Sequence, residues 1–341
     1  MASTTGTITA IAANETLVRP SRSLWQNAWW KIRHDRLTIA AFILLIIMGA
    51  LAAGADFLAT NVFLYSFEKQ DLLHTYERPA FEPLAFLLGT DDLGRSAVVR
   101  LLYGGRVSLA VGFIAAFVNL TIGIFVGLAA GYFRGLVDDI VTWFVTTLQS
   151  IPTLFLLLII AAIWEPGPVQ LTVVIGSLFW VGICLYVRGQ TFALREREYV
   201  VAAKTIGARD RRIMFNHILP NILPLIFVLA AIDAGAIILV ESALSFLGLG
   251  ILPPTPTWGN MLTGATGNLV RGPWLIYPPG LMIFLTVLCL YLIGDGLRDT
   301  NNAAERDRVR ARRRRGGGGH GRRRGAGRED KREGGEPGVR G

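Results

Sequence analysis

Cysteine is nearly absent: Cys184 and Cys289 are the only thiols in 341 residues, and both fall inside apolar runs. Two such residues build neither a disulfide framework nor a thiolate metal site. Histidine is equally sparse, with His34, His74, His217 and His320 in unrelated segments at no ligand spacing. The chain therefore implies no metal and no cofactor of its own. Charge is scarce as well: 17% of residues are charged and 52% are hydrophobic, whereas a soluble domain carries roughly 25% charged residues. This excludes an ordinary soluble domain, a secreted stapled one and a polar disordered chain. The net charge of +9 suggests nucleic acid until it is located, because 14 Lys and Arg against six Asp and Glu lie from Glu305 onward. That is a surplus of eight, which leaves a surplus of one in the rest of the chain. A His-Glu-x-x-His helix and a Gly-x-Ser-x-Gly elbow are both missing, which argues against a membrane-embedded enzyme; no catalytic residue is assigned.

What is present is long apolar sequence. The mean hydropathy is +0.46, and about 20 helical residues cross a hydrocarbon core. Six runs of that order occur, near Leu37 to Ala59, Val107 to Tyr132, Ile140 to Trp164, Val169 to Val187, Ile222 to Leu247 and Trp274 to Ile293. The third contains Gln149, Ser150 and Pro152, which predicts a kink or break. The fold class expected is an all-α integral membrane protein of about six transmembrane helices. Residues 1–36 form an N-terminal segment with no cleavable signal peptide, in which Trp25, Ala28, Trp29 and Ile32 repeat at helical spacing beside Lys31 and Arg33. That pattern predicts an interfacial helix. Residues 37–106 hold the first span and an outer loop, residues 107–300 the remaining spans, and residues 301–341 a tail of arginine and glycine runs expected to be disordered.

Lys and Arg concentrate before the first span, at Arg134, over Arg188 to Arg212 and in the tail, while the short opposite loops hold only Arg271. The positive-inside asymmetry then places both termini in the cytoplasm. The inner loop 188–221 reads as helix, glycine break, helix and proline stop, with Gly207 ending the first piece and Pro220 interrupting entry into the fifth span. Ile213, Met214 and Phe215 beside Arg209, Arg211 and Arg212 give the second piece an apolar and a cationic surface. It suits a groove on a soluble partner, and anionic lipid would also attract it.

Ala202-Ala203, Gly207 and Ile218-Leu219-Pro220 resemble the EAA loop of permease subunits of bacterial ATP-binding-cassette importers. The stretches Gly89 to Arg95, Leu102 to Leu109, Ser245 to Gly250, Pro253 to Leu262 and Gly294 to Asp299 are similar, in order, to the second permease subunit of the dipeptide, oligopeptide and nickel importers. The resemblance covers about Trp25 to Asp299. It departs at Val201, where the family has the glutamate that names the loop; Glu198, three residues earlier on the same face, is a candidate substitute.

The resemblance implies a type I importer permease fold in the bacterial cytoplasmic membrane. It also implies a second permease subunit, as a heterodimer, two ATPase subunits that carry out all ATP hydrolysis, and an extracytoplasmic solute-binding protein. Coupling to the ATPases is assigned to Ala202, Ala203, Gly207, Ala208, Arg209, Asp210, Arg211, Arg212, Phe215, Leu219 and Pro220, with the short helix after Gly207 as the moving part. Peptides are the commonest substrate of such importers; nickel chelates, glutathione and oligosaccharides are alternatives. Asp233 and Glu241 lie about two turns apart in the fifth span, so they share one face. They either line the translocation path or pair with a neighbouring helix of the partner subunit. Asp91, Asp92 and Arg95 either touch the binding protein or fix their own loop. Membrane lipid is an expected partner, and nucleic acid one only through the tail.

Overall fold

Each apolar run becomes a helix where a capping group or a proline can begin one, and the computed structural model describes residues 35–164 and 167–316, with the side chains of the last helix described through Arg298. The N-terminal interfacial helix expected from Trp25 to Arg33 lies outside the described residues. Helix α1, Arg36–Ala53, starts on Asp35, whose Oδ1 accepts the Leu37 N–H at 3.1 Å. It ends at Gly54, and a short α2, Ala55–Asn61, takes over where the sequence suggested one unbroken span. The last carbonyls of α1 lack helical partners. Arg106 supplies them: its Nε donates to Ala52 O at 3.1 Å, its Nη2 to Ala53 O at 2.9 Å, and its Nη1 pairs with Asp56 at 2.9 Å.

Helix α3, Ala97–Phe133, runs 37 residues from a Ser96 cap and starts ten residues before the apolar run read from the sequence. The early start is possible because both basic residues in it are paired: Arg106 caps α1, and buried Arg100 lies 3.6 Å from Asp91. Helices α4, Leu136–Gln149, and α5, Thr153–Ile163, are bent by 76° at their junction. Pro152 causes the break, having no N–H to donate and excluding the helical conformation from the residue before it. Then follow α6, Pro168–Arg195, and α7, Glu198–Thr205. After them come α8, Asp210–Phe246, and α9, Trp258–Thr266. The last is α10, Tyr277–Gly316. Among the described residues five helices are long and apolar enough to cross a membrane, or six if α4 and α5 form one broken span.

The described residues through Arg298 form one compact unit. Its centre is the pairing of α3 with α6, made close by glycine. A Cβ on Gly123 would stand 2.7 Å from that of Ile183, one on Gly127 would stand 2.5 Å from the Cys184 carbonyl, and one on Gly131 would stand 2.6 Å from the Thr191 Cβ. Glycine every fourth residue lets two helix backbones approach where van der Waals contact drives association. One core cluster, with Leu109, Ile175, Ile238, Leu244 and Trp258, fills the half beside α9; a second, with Leu128, Ile183, Val200, Ile213 and Ile222, fills the end that carries the 188–221 loop. The segment 62–96 folds as a small lobe, tied by Tyr65 Oη donating to Gly94 O at 3.0 Å and Thr90 Oγ1 to His74 O at 2.5 Å.

The end of the chain departs from expectation. The backbone stays helical through Gly316, well into the tail that composition reads as disordered. Ala303, Ala304, Ala311 and the interspersed arginines are strong helix formers, and they extend a helix already nucleated by its apolar part. Residues 317–341 lie outside the described residues.

Candidate functional site

The loop between α6 and α8 is built around one glycine. Helix α7 closes in a Schellman motif: Gly207, at φ +83°, donates its N–H to Lys204 O at 3.0 Å, and Ala208 donates to Ala203 O at 3.0 Å. Val200 and Ala203 of α7 are buried, while Tyr199, Val201, Ala202 and Ile206 face outward, with Ile206 86% exposed. Val201 thus places an apolar side chain on the open face where the family's glutamate was expected.

Two features of the loop overturn its reading from sequence. Beyond Gly207 there is no separate amphipathic helix with a free apolar face: Ile213 is fully buried, and Met214, Phe215 and Leu219 pack against the loop-end core. Nor does Pro220 stop the helix. The chain runs from Asp210 to Phe246 as one element, with a π-helical stretch over Ile213–Ile218 just before the proline. A proline cannot accept the α-helical geometry of the turn before it without a clash, and the wider π turn relieves it. Arg209, Arg211, Arg212 and Pro220 are exposed.

A clamp that no local pattern announces holds this loop to the spans. Tyr132, at the end of α3, donates its hydroxyl to Asp210 Oδ1 at 2.6 Å. Arg195, at the end of α6, donates from Nη1 to Tyr132 O at 2.5 Å and lies 5.5 Å over its ring. Arg134 pairs with Glu196 at 2.6 Å, and Arg188 with Asp138. The ends of α3 and α6 and the starts of α4 and α8 are thereby joined by hydrogen bonds to charged groups, which are stronger than neutral ones.

Asp233 and Glu241 both turn towards α3. Glu241 is fully buried; it accepts from Ser245 Oγ at 2.8 Å, Ser108 Oγ at 3.1 Å and Ser242 Oγ at 3.4 Å. Ser108 Oγ in turn accepts the Trp258 N–H at 3.3 Å, and Ser245 Oγ the Ile251 N–H at 3.2 Å. This carboxyl therefore joins α8, α3 and the turn leading into α9. Half-buried Asp233 accepts from Asn119 Nδ2 at 2.9 Å.

At the opposite end, Asp91 organises its own loop. Its Oδ1 accepts the N–H groups of Leu93 and Arg95 at 3.0 and 2.9 Å, and its Oδ2 takes Arg95 Nε at 2.7 Å. Asp92 makes only a 3.4 Å contact with Arg95. All three line a recess of about 280 Å³ with Arg100, Asn260 and Leu275.

Comparison with known proteins shows the family to which the chain belongs. Residues 123–305 match the family described as binding-protein-dependent transport system inner membrane component, and residues 23–79 match the N-terminal transmembrane domain of oligopeptide transport permease C. The chain is 35% identical over 285 residues to the oligopeptide transport system permease protein OppC of Haemophilus influenzae, covering 84% of this chain and 90% of that one. It is 34% identical to the dipeptide transport system permease protein DppC of Bacillus subtilis, covering 84% and 87%. The glutathione transport system permease protein GsiD of Pectobacterium atrosepticum is 36% identical, covering 82% and 90%. With a matching family over more than half its length and relatives of this identity along most of it, the chain belongs to the inner membrane permease components of binding-protein-dependent ATP-binding-cassette importers.

Proposed function

We propose that this chain forms one half of the membrane pathway of a peptide importer, with both termini and the 188–221 loop on the cytoplasmic side. A second permease subunit completes the pathway, two ATPases supply the energy and an external binding protein delivers the peptide. The relatives are transporters of dipeptides, oligopeptides and glutathione by name, which supports small peptidic substrates.

The observation that carries the coupling role is the two-faced α7. Val200 and Ala203 are fixed in the core while Val201 and Ile206 are offered to a partner. A push on that face passes through the Gly207 turn and the Tyr132–Asp210–Arg195 clamp into α3, α6 and α8 together, as a rigid-body motion. Glu241, within its cage of hydroxyls, acts in this reading as a joint between helices, and Asp92 as the outer-lobe group left for the binding protein.

The test is co-purification of the assembled transporter with Ile206→Glu. A buried charge at the centre of an apolar contact is strongly unfavourable, so the ATPases are expected to dissociate while the permease pair survives. Retention of both ATPases by this variant would remove α7 from the interface.

A further inference from the structure

Arg209, Arg211 and Arg212 crowd the first turn of α8 and are all exposed. With Phe125, Phe215 and Asn216 they line an open recess of about 510 Å³. Asp210, the acid within that run, is engaged by the Tyr132 hydroxyl at 2.6 Å. Among the described residues the ion pairs use other cations, so three guanidinium groups stand together without a carboxylate.

The recess is apolar on one side and cationic on the other. Phe125, 55% exposed, belongs to the spanning helix α3, eight residues before its end at Phe133, which is about 12 Å along the axis. Its ring lies 6.0 Å from that of Phe215, which the π-helical stretch carries beside the arginines. An aromatic pair at acyl depth below a rim of guanidinium groups fits a phospholipid: the chain runs along Phe125 and the phosphate sits among the arginines, whose planar forks match phosphate oxygens. The apolar groups offered to a soluble partner, Val201 and Ile206, lie across the Gly207 turn and do not line this recess.

We propose that this recess binds the phosphate of an anionic phospholipid in the leaflet on the loop side, so that a headgroup braces the root of α8. The proposal goes beyond the importer assignment, and its test does not require the ATPases. The purified full chain in neutral detergent is titrated with dioctanoylphosphatidylglycerol, dioctanoylphosphatidylcholine or inorganic phosphate while its thermal midpoint is followed. The phosphatidylglycerol lipid is expected to raise the midpoint saturably, and the other two probes at equal concentration are not. Arg211→Gln with Arg212→Gln should raise the half-saturating concentration roughly tenfold or more, with the corresponding lysine pair keeping most of the response.

The altered side chains are exposed, so the lipid-free midpoint should hold; if the double variant does not fold, Arg209→Gln and Phe125→Ala provide the same comparison. An unchanged phosphatidylglycerol response in these variants overturns the site. Equal stabilisation by inorganic phosphate overturns the lipid assignment, leaving a simple anion site. Loss of ATPase co-purification with the lipid response intact assigns the arginines to the ATPase contact instead and overturns the proposal. None of these failures touches the importer assignment, which rests on the family match and the relatives, or the coupling role proposed for α7.

Discussion

A methyl group on Gly207 would meet no neighbour within 4 Å, so the cost of Gly207→Ala lies wholly in a backbone held at φ +83°. For an L-residue that region costs about 1–2 kcal/mol, enough to loosen the turn and too little to unfold the bundle. Gly207→Ala is therefore expected to insert and melt nearly as the parent while ATP-driven uptake falls several-fold. An unchanged uptake rate would show that the turn need not be stiff. In the 62–96 lobe, hydrogen bonding to the His74 ring at 2.8 Å, helped by the Leu73 N–H and by Lys69, holds the Asp71 carboxyl below the usual carboxylate range. A depressed folded value means stabilisation that is complete above the unfolded pKa, about 3.9, and lost as pH falls through the folded one. The Leu73 amide should stay protected from hydrogen exchange at pH 5 and at pH 4, opening only in stronger acid. Opening at pH 5 would contradict this account.

At the scale of elements, the α3–α6 contact separates packing glycines from spare ones. Gly127→Ala puts a methyl 2.5 Å from the Cys184 carbonyl, whereas Gly182→Ala, on the same pair of helices, meets nothing within 4 Å. The first should destabilise by about 1–3 kcal/mol through overpacking, and the second should be neutral or stabilising by up to about 1 kcal/mol from helix propensity. Thermal midpoints of the two variants in detergent decide this, and equal midpoints would mean that the helices part easily. The runs that become these helices are legible because apolar length is a local property, and so is the break at Pro152. The start of α3 at Ala97 is not, since Arg100 and Arg106 read as loop residues until Asp91 and the end of α1 are known to lie beside them. The 188–221 loop divides in the same way. Gly207 and its closing turn are visible in sequence, but the inward facing of Ile213 depends on α3 and α6. The clamp is hidden for the same reason: Tyr132 meets a partner 78 residues away in Asp210 and another 63 away in Arg195.

For the whole molecule, the proposed sidedness of the 62–96 lobe and the 188–221 loop is measurable without a modified background, because of where the two cysteines lie. Cys184 and Cys289 are buried, so a membrane-impermeant maleimide should leave the parent chain unlabelled. Leu73, in the 62–96 lobe, is 90% exposed and Ile206, in the 188–221 loop, is 86% exposed, so either position accepts a cysteine that reagent can reach. Between them lie the apolar helices, which carry exposed side chains such as Phe42, Ile46, Phe117 and Phe284. With α3, the α4–α5 pair and α6 each crossing once between Leu73 and Ile206, three crossings separate the two sites, which should fall on opposite sides. In spheroplasts Leu73→Cys should label at once and Ile206→Cys only after permeabilisation. Labelling of both sites from outside would mean that α4 and α5 re-enter rather than cross. Labelling of Ile206→Cys alone would invert the molecule and take the loop away from the compartment that holds ATP.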